Sequence, residues 1–409
     1  MFTPITACRS CDATSFVPVI DLGELPLAND LRLPDDPTRP GRFPLALVCC
    51  LQCSLVQLTG TVDREALFDS YLYLSSYSTA MVDAMGALAA RMIGERALDG
   101  ESLVIELASN DGYLLQHYVA AGIRVLGVEP AKNIAEIAAE RGIPTLASYF
   151  TADVARQLRG EGRRADVVHA NNVLAHVPDI NDFVEGIAIV LADDGVAVIE
   201  TPSLTRLIAQ SEFDTIYHEH VFYYSLTALE QLFARHGLVV ADVELIEMHG
   251  GSFRLFVCRS PAERSVEVER VLADEAAVGV HTEAYYRGFS DRVSACRTRT
   301  VEMLRDFKAR GGRVAGYGAA AKATIRLNYF DIGTDLVERI ADRNPHKQGR
   351  RVPGVSIPIA DTAFLVETVP DYLLILAWNF AEEIMEQQAE YRRAGGTFVL
   401  AGPDVRIVA

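Results

Sequence analysis

Long apolar segments are missing from this 409-residue sequence, since no run approaches the roughly 18 residues that a membrane-spanning helix needs. The first residues lack the basic and apolar segments of a secretory signal, so we predict a cytoplasmic protein. Only 7 cysteines are present, unevenly spaced, which excludes a disulfide framework. Basic residues are also few: 38 Lys and Arg against 55 Asp and Glu give a formal net charge of −17. This balance argues against general nucleic-acid binding but allows one anionic ligand in a local positive pocket.

Four of the cysteines form two Cys-x-x-Cys pairs, Cys8/Cys11 and Cys50/Cys53. Thiolates three residues apart on a tight turn can bind one ion, and a second pair completes a tetrahedral site. We therefore predict a structural zinc ion with no ligand position open for catalysis. Cys49 is an alternative to Cys50, at a less usual spacing, and buried free thiols are the alternative to a metal site.

Short apolar runs alternate with helical patterns between about residues 69 and 260. Such alternation is typical of a parallel sheet covered by helices. A helix with Ser225 as its N-cap then precedes two strands joined by a Gly-bearing turn, which predicts a closing antiparallel hairpin. This order fits the class I methyltransferase fold, which is Rossmann-like, better than a classical dehydrogenase half. The predicted strands are 103–107, 124–129, 165–172, 195–201, 238–246 and 252–258.

A second α/β series begins near residue 311, after a charged, helix-prone stretch. Its later strands are predicted at 336–342, 372–378 and 397–402. With 50% hydrophobic and 23% charged residues, the composition is that of a globular protein, and the length suits two to three domains. We predict a zinc-binding lobe, a central methyltransferase domain, connecting helices and a C-terminal Rossmann-like domain, at residues 1–68, 69–260, 261–310 and 311–409.

The first strand of the central domain leads through a loop containing Gly112 into a helix. A turn of small residues lets the backbone approach a ligand at the helix N-terminus. Glu129 ends the second strand, where it is placed to accept both hydroxyls of a ribose. S-adenosylmethionine carries a ribose without phosphate, so one glycine suffices; an acidic N-cap on an ordinary βα unit is the alternative. Asn171 and Asn172 end a further strand, where polar groups face the cofactor or acceptor.

Residues 217–225 contain two His, one Glu and three Tyr. A histidine beside a carboxylate is suited to accept a proton near neutral pH, and we prefer this interpretation. A metal site through His218 and His220, or histidines stacked among tyrosines in a partly buried loop, are the alternatives. His176 lies near the same sheet edge as a second candidate base, with a helix-capping role as its alternative.

The segment 314–329 again places a glycine turn between a strand and a helix. Gly316-x-Gly318 is a loosened dinucleotide fingerprint, strengthened by Lys322 in the first helical turn, where exposed N–H groups favour anions. The basic stretch 342–351 adds positive charge beside Asn344. These residues predict a site for a pyrophosphate-bearing ligand, with a solvated basic loop as the alternative.

Together these segments resemble the three-domain sugar C-methyltransferases of antibiotic deoxysugar pathways, which act on dTDP-4-keto-6-deoxyhexoses. The similarity runs over essentially the whole chain and follows the family order: CRSC, CLQCSLVQ, ASNDGYLL, NVLAHVPD, FDTIYHEHVFYYS, MHGGSFR, GYGAAAK and DRNPHKQGRRVPG. The resemblance implies zinc in the N-terminal lobe, S-adenosylmethionine in the central domain, and a C-terminal domain that helps to hold the nucleotide sugar. We expect a monomer without nucleic-acid or membrane partners.

By motif match, the resemblance implies that His220 is the base, with Tyr217 and Glu219 beside it, His176 near the acceptor and Tyr71 facing the sugar. The implied reaction is methylation of a carbon next to the C4 ketone, most often C3, through an enolate. The predicted cofactor residues are Glu106, Ala108, Ser109, Asn110, Asp111, Gly112, Glu129, Pro130, Asn171 and Asn172. The predicted substrate residues are Tyr71, Tyr73, Tyr217, Tyr223, Lys322, Asn344 and Lys347.

Four other functions are compatible with parts of the sequence. C5-methylation of the same substrate class and an O- or N-methyltransferase would keep the cofactor. An NAD-dependent nucleotide-sugar oxidoreductase would use the C-terminal glycine loop instead. A non-catalytic zinc-stapled scaffold would leave the 217–225 cluster unexplained.

Overall fold

The computed structural model describes residues 1–36, 38, 40–63, 67, 74–77, 79–247, 250–402 and 405–408. These described residues contain four sheets, with two, four, seven and six strands. Among the described residues, none of the helices combines the length and the apolarity needed to cross a membrane.

The N-terminal lobe (residues 1–62, hereafter the zinc lobe) is built from five strands. They form a two-stranded ribbon, β1 with β5, and an antiparallel sheet in which β3 lies between β2 and β4. The strands are β1 (Phe2–Pro4), β2 (Phe16–Pro26), β3 (Arg42–Cys50), β4 (Val56–Leu58) and β5 (Gly60–Val62). The first Cys-x-x-Cys pair lies in the loop that follows β1, and the second begins at Cys50, the last residue of β3.

The central domain contains a seven-stranded sheet in the order β8-β7-β6-β9-β10-β13-β12. The first five strands in this order are parallel, and β13 runs antiparallel to both of its neighbours. This arrangement confirms the predicted parallel sheet closed by an antiparallel hairpin. The strands are β6 (Leu103–Leu107), β7 (Arg124–Val128), β8 (Thr145–Leu146), β9 (Ala165–Asn171), β10 (Leu191–Pro202), β12 (Leu238–Ile246) and β13 (Ser252–Arg259).

Helices cover both faces of this sheet, which explains why β6 and β10 read as continuous apolar runs. Ser225 is the predicted N-cap, since its hydroxyl accepts the Ala228 N–H at 3.2 Å. The helices are α1 (Thr79–Glu95), α2 (Leu115–Ala120), α3 (Lys132–Glu140), α4 (Ala152–Gly160), α5 (Ile180–Val190), α6 (Leu204–Gln210) and α7 (Leu226–Arg235).

One short strand of the central domain, β11 (Phe222–Tyr223), pairs with β4 of the zinc lobe instead of joining the central sheet. Phe222 lies opposite Gln57, and Tyr223 lies opposite Val56. The zinc lobe is therefore joined by backbone hydrogen bonds to the chain that directly follows the His-Glu-His stretch.

Three helices connect the central and C-terminal domains: α8 (Val266–Val278), α9 (Glu283–Tyr286) and α10 (Phe289–Ala309). They are more than a linker, because the buried Glu275 of α8 accepts hydrogen bonds from the Leu226 and Thr227 N–H groups at 2.8 and 2.7 Å. A carboxylate there satisfies free donors at the start of α7.

The C-terminal domain has a six-stranded sheet in the order β16-β15-β14-β17-β18-β19, parallel except for β19. The strand predicted over 336–342 is limited to residues 340–341, because a turn in which Leu336 and Val337 bond to the Gly333 carbonyl occupies its start. The elements are β14 (Val314–Tyr317), α11 (Ala321–Phe330), β15 (Ile340–Ala341), β16 (Ile359–Ala360), α12 (Phe364–Thr368), β17 (Tyr372–Ile375), α13 (Ala381–Gln387), α14 (Ala389–Arg393), β18 (Thr397–Leu400) and β19 (Arg406–Val408).

The apolar cores cross the domain borders. Leu45 of β3, Phe213 of the central domain, Phe289 of α10 and Ile325 of α11 belong to one buried cluster. A second cluster joins Cys8, Cys50 and Cys53 to the central sheet. The three domains therefore share buried apolar surface, which fixes their relative placement at the site.

Candidate active site

The four cysteine sulfur atoms of the two Cys-x-x-Cys pairs all lie within 4.8 Å of one another. Cys8 is 3.6 Å from Cys53, and Cys11 is 3.6 Å from Cys50, measured between sulfur atoms. Tetrahedral zinc with bonds of about 2.3 Å separates its sulfur ligands by about 3.8 Å, so the cluster fits this ion. Cys49 is outside the cluster; its sulfur contacts the Cys50 carbonyl.

Gln57 ties the cysteine cluster to the rest of the zinc lobe. Its buried amide donates to the Cys8 sulfur at 3.2 Å and accepts the Arg9 N–H at 3.2 Å. The Cys53 hydrogen bond lowers the pKa of Cys8 to about 4, whereas the same contact raises the pKa of Cys53. Zinc is bound by thiolates, so its binding displaces the protons that the four thiols carry.

The loop after β6 has a backbone conformation that favours close approach by a ligand. Ala108, Asn110 and Gly112 have φ of 55°, 49° and 80°, in the left-handed region. The Glu129 carboxylate accepts the N–H groups of Asn110 and Ala131, each at 2.9 Å. Glu129 therefore shapes the loop itself, in addition to the predicted contact with ribose.

Residues 75 and 76, from the segment before α1, also contact this loop. The Ser75 N–H donates to Asn110 Oδ1 at 2.9 Å, and the Ser76 hydroxyl donates to Asp111. Arg141 at the end of α3 forms an ion pair with Asp111 at 2.8 Å. The loop is thereby held on two sides.

Buried polar atoms that find no hydrogen-bond partner among the described residues gather at the carboxyl edge of the central sheet. Such orphaned atoms are expected where a polar ligand completes the site. They are Glu106 Oε2, Ser109 Oγ, Asp111 Oδ1, Asn171 Oδ1, Asn172 Oδ1 and Thr201 Oγ1. This set fits the amino, carboxylate and ribose groups of S-adenosylmethionine, and Pro130 leads from this edge into α3.

Carboxylates dominate the electrostatics of this edge. Burial, with Glu129 and Asp111 nearby, raises the pKa of Glu106 well above its usual range. Burial also raises the pKa of Glu129, although its two backbone N–H partners oppose the shift. A cationic ligand is the natural complement to this cluster.

Two backbone hydrogen bonds of Val221, the residue after His220, hold the end of the stretch 217–220. The Val221 N–H donates to the Ala175 carbonyl at 2.7 Å, and the Val221 carbonyl accepts the Leu58 N–H of the zinc lobe at 2.9 Å. Ala175 precedes His176, so the same contacts bring the two histidines together. Their ring centroids are 4.7 Å apart, with the rings edge to face.

His220 has a defined hydrogen-bond pattern. Its Nδ1 lies 3.2 Å from the Thr215 carbonyl and its Nε2 lies 2.7 Å from the Tyr217 hydroxyl. A carbonyl can only accept, so Nδ1 carries the proton and Nε2 of the neutral ring accepts from Tyr217. Burial lowers the pKa of the neighbouring His176 to about 4, so this second imidazole stays neutral at physiological pH.

His218 and Glu219 both face the zinc lobe. The buried His218 lies with Nε2 at 3.2 Å from the Phe43 carbonyl, away from His220, so these two histidines do not form the metal pair that was one alternative. Glu219 accepts a hydrogen bond from the Asn29 amide at 2.7 Å. Burial raises the pKa of Glu219 to about 7.

The tyrosines predicted to face the sugar are only partly described. Tyr223 is buried, with its ring centroid 6.3 Å from that of His220 and its hydroxyl 3.5 Å from the Thr215 carbonyl. Tyr71 and Tyr73 lie outside the described residues.

The three predicted residues of the C-terminal domain surround its glycine loop but have other contacts. Lys322 places its ammonium 4.3 Å from the Trp378 ring centroid and 3.4 Å from Asn379 Oδ1. Lys347 donates to the Ala319 carbonyl of the loop at 2.9 Å, and Asn344 accepts the His346 N–H in a local turn. Lys347 and Asn344 therefore shape the loop and the turn beside it.

Two contacts near His220 were not anticipated from the sequence. Asn29 comes from the zinc lobe, where nothing in its neighbourhood signals an active-site role. Asp214 sits in the dense 213–225 stretch, but its partners Arg326 and Trp378 are more than 100 residues away. Such long-range pairs leave no local pattern.

The open sheet with its closing hairpin, the ligand loop after β6 and the acidic residue after β7 define a class I S-adenosylmethionine-dependent methyltransferase. Family models match three successive parts of the chain: a zinc-binding domain over residues 8–68, a methyltransferase domain over 80–243 and a C-methyltransferase C-terminal domain over 247–403. The chain is 36% identical to the C-methyltransferase NovU of Streptomyces niveus, over 99% of this chain and 97% of NovU. It belongs to the C-methyltransferase family, with S-adenosylmethionine as methyl donor and a structural zinc site.

Solved structures are more distant. The PH0226 protein of Pyrococcus horikoshii OT3 is 15% identical, with 48% of this chain and 98% of that chain covered and a TM-score of 0.38. Magnesium protoporphyrin IX methyltransferase of Synechocystis PCC 6803 is also 15% identical, covers 48% of this chain and 89% of its own, and has a TM-score of 0.35. The family assignment rests on the full-length relative.

Replacement of Cys53 by serine is expected to abolish zinc binding. The thermal unfolding midpoint should fall by about 5 °C or more, since each kcal/mol lost corresponds to about 2–4 °C at this domain size. Cofactor affinity should persist, because the cofactor loop lies on β6 and β7. Metal content by mass spectrometry, thermal unfolding and calorimetry test this, with Cys258→Ser, outside the cluster, as the control. Full zinc content with an unchanged midpoint would contradict the assignment.

Glu129→Gln should weaken S-adenosylmethionine binding roughly 10- to 100-fold, because charge-assisted hydrogen bonds contribute about 1.5–3 kcal/mol. The amide can no longer accept both loop N–H groups and a ribose with full strength. Isothermal titration calorimetry measures the Kd, and Glu136→Gln, an exposed position on α3, is the matched control. Equal Kd values for Glu129→Gln and the native protein would remove Glu129 from the cofactor site.

Proposed function

We propose that this enzyme methylates C3 of a dTDP-4-keto-6-deoxyhexose, in deoxysugar biosynthesis, through an enolate generated by His220. The observation that carries the proposal is the pair of contacts of His220, with Nδ1 3.2 Å from the Thr215 carbonyl and Nε2 2.7 Å from the Tyr217 hydroxyl, which assigns the proton to Nδ1 and the lone pair to Nε2. The order of motifs supports the choice of a sugar substrate, and the C-methyltransferase NovU of similar length supports methyl transfer to carbon.

The reaction needs a carbon acid, and a neighbouring ketone provides one. His220 Nε2 takes the proton from the carbon next to C4, and the electron pair moves onto the ketone oxygen. Tyr217, whose hydroxyl donates to Nε2 in the free enzyme, turns to donate to the developing oxyanion. S-adenosylmethionine supplies the electrophilic methyl group, so the carbon–methyl bond forms as the carbon–sulfur bond breaks.

The neighbours of His220 suit this role electrostatically. His176 stays neutral because burial lowers its pKa to about 4, so it does not repel the imidazolium that His220 becomes. Glu219 is buried beside His220 and is held by Asn29, where its carboxylate can accept from a sugar hydroxyl or amine. We assign Glu219 to binding the group at the adjacent sugar carbon.

The nucleotide portion is proposed to bind at the glycine loop of the C-terminal domain. Lys322 lies in the first turn of α11, where its charge adds to that of the helix N-terminus. Trp378 lies beneath this ammonium and offers an aromatic surface for a nucleoside. Tyr71 and Tyr73 are assigned to the sugar by motif match.

A dinucleotide oxidoreductase is less compatible with this loop. A Cβ at Gly318 would lie 2.8 Å from the Ala377 side chain. A glycine is therefore required at this position by packing within the domain, whether or not a dinucleotide binds.

His220→Asn should abolish proton abstraction but leave cofactor affinity unchanged. With keto sugar in D2O and no methyl donor, the native enzyme should exchange deuterium into the carbon next to the ketone. The variant should lose this exchange by about 10²–10⁴-fold, the usual contribution of a general base.

The exposed His281, changed to Asn, is the control for this experiment and should keep full exchange. NMR of the exchanged sugar and of the methylated product identifies the carbon that reacts. Deuterium at C5 would show that C5, and not C3, is methylated. Methylation of oxygen or nitrogen without any deuterium exchange would show that the enzyme is not a C-methyltransferase for this sugar. Native exchange rates in His220→Asn would remove His220 as the base.

A further inference from the structure

Asp214 connects the His220 segment to the C-terminal domain through a fully buried ion pair. Its Oδ2 lies 2.9 Å from Arg326 Nε and 2.8 Å from Arg326 Nη2, and both side chains have no exposed surface. Arg326 also lies against a stacked pair of aromatic rings, 4.9 Å from the centroid of Phe213 and 5.4 Å from that of Phe330. Guanidinium, carboxylate and rings together fix the position of the carboxylate.

Trp378 of the C-terminal domain contributes a third contact to the same oxygen. Its indole N–H donates to Asp214 Oδ2 at 3.0 Å. The face of the same indole lies under the Lys322 ammonium. One side chain thus links the start of α11 to the central domain.

Asp214 sits in the middle of the single turn Phe213–Thr215. The carbonyl of Thr215, the next residue, is the group that accepts from His220 Nδ1 at 3.2 Å. The Tyr223 hydroxyl points to the same carbonyl at 3.5 Å. The carbonyl that selects the tautomer of His220 is therefore one peptide unit away from the buried ion pair.

An imidazole acts as a base through one nitrogen only if the other keeps its proton, and the hydrogen bond of the second nitrogen sets this. In many enzymes a carboxylate contacts the histidine directly; here the carboxylate acts through the backbone of a turn. A buried ion pair contributes little net stability compared with apolar side chains of similar size. We therefore interpret the Asp214–Arg326 pair as a contact that fixes the geometry of the turn Phe213–Thr215.

We propose that Asp214 is a positioning residue, held by Arg326 and Trp378, which fixes the Thr215 carbonyl and with it the tautomer and orientation of His220. The C-terminal domain thereby orients the base in addition to binding substrate. The inference rests on the proposed role of His220, and one of its tests needs no substrate.

Trp378→Phe is the main test, because it removes one N–H donor and keeps an aromatic ring over the same space. Deuterium exchange into the keto sugar should fall roughly 10- to 100-fold, as expected for a displaced reacting group. The Kd for S-adenosylmethionine should stay within about twofold, since Trp378 contacts Asp214 and Lys322, whereas the residues predicted to bind the cofactor lie in the loop after β6. Asp214→Asn should show a larger loss in the same direction.

Tyr286→Phe is the matched control. It likewise removes one hydrogen-bond donor from an aromatic residue and keeps the ring: the buried Tyr286 hydroxyl donates to the Val280 carbonyl at 2.7 Å, in the apolar cluster that also contains Phe213 and Phe330. Exchange should be native in this variant. Equal losses in Tyr286→Phe and Trp378→Phe would show a general effect of packing and overturn the proposal.

Nitrogen-15 NMR of the histidine rings supplies the substrate-free test. The native free enzyme should show His220 as a single tautomer with Nδ1 protonated, and Trp378→Phe and Asp214→Asn should shift it toward a mixture. Unchanged ring signals in both variants would overturn the proposal. Absence of exchange in the native enzyme, with the tautomer shifted as expected, would instead count against the proposed substrate alone.

Discussion

The backbone pairing of β4 with β11 is the contact on which the geometry of the site depends. Residues 217–220 carry the titratable groups but belong to no helix or long strand, so regular secondary structure does not hold them. The chain leaves this stretch directly into a strand held by the zinc lobe, and the Val221 N–H is held by the residue before His176. Through this pairing, the lobe that holds the metal site can determine the position of the His220 imidazole.

Most of the fold follows from local pattern. The strands 103–107 and 238–246 coincide with β6 and β12. The apolar run of β6 is what a strand buried on both faces of a sheet requires, whereas β12 is an edge strand that mixes buried and partly exposed residues. The N-cap at Ser225 was also predictable from neighbouring residues alone. The strand over 336–342 was largely wrong, since the apolar residues at its start pack from a turn instead of a strand. Two-residue strands such as β11 have too few residues to show a period.

The site was predictable from the sequence only where the residues that carry its chemistry are close together in the chain. Spacing alone placed the four cysteines together, and the density of His, Glu and Tyr marked 217–225. What the sequence could not supply was the set of partners from other domains: Asn29 for Glu219, and Arg326 with Trp378 for Asp214. These contacts join residues more than 100 positions apart, and only the packed cores bring them within hydrogen-bond distance.

At the acidic edge of the central sheet, buried carboxylates lower the stability of the free protein and favour the binding of a cationic ligand. Three of its carboxylates have partners in the free protein: Asp111 has Arg141, Glu129 has two backbone N–H groups, and Glu200 has Arg254 at 2.7 Å. Glu106 has no cationic partner among the residues that the structure describes, and its pKa is raised well above the usual range by burial and by these same neighbours. A carboxylate in that position is costly until positive charge arrives. S-adenosylmethionine carries a sulfonium and an amino group, so the charge distribution that is unfavourable in the free protein is the one that favours this methyl donor.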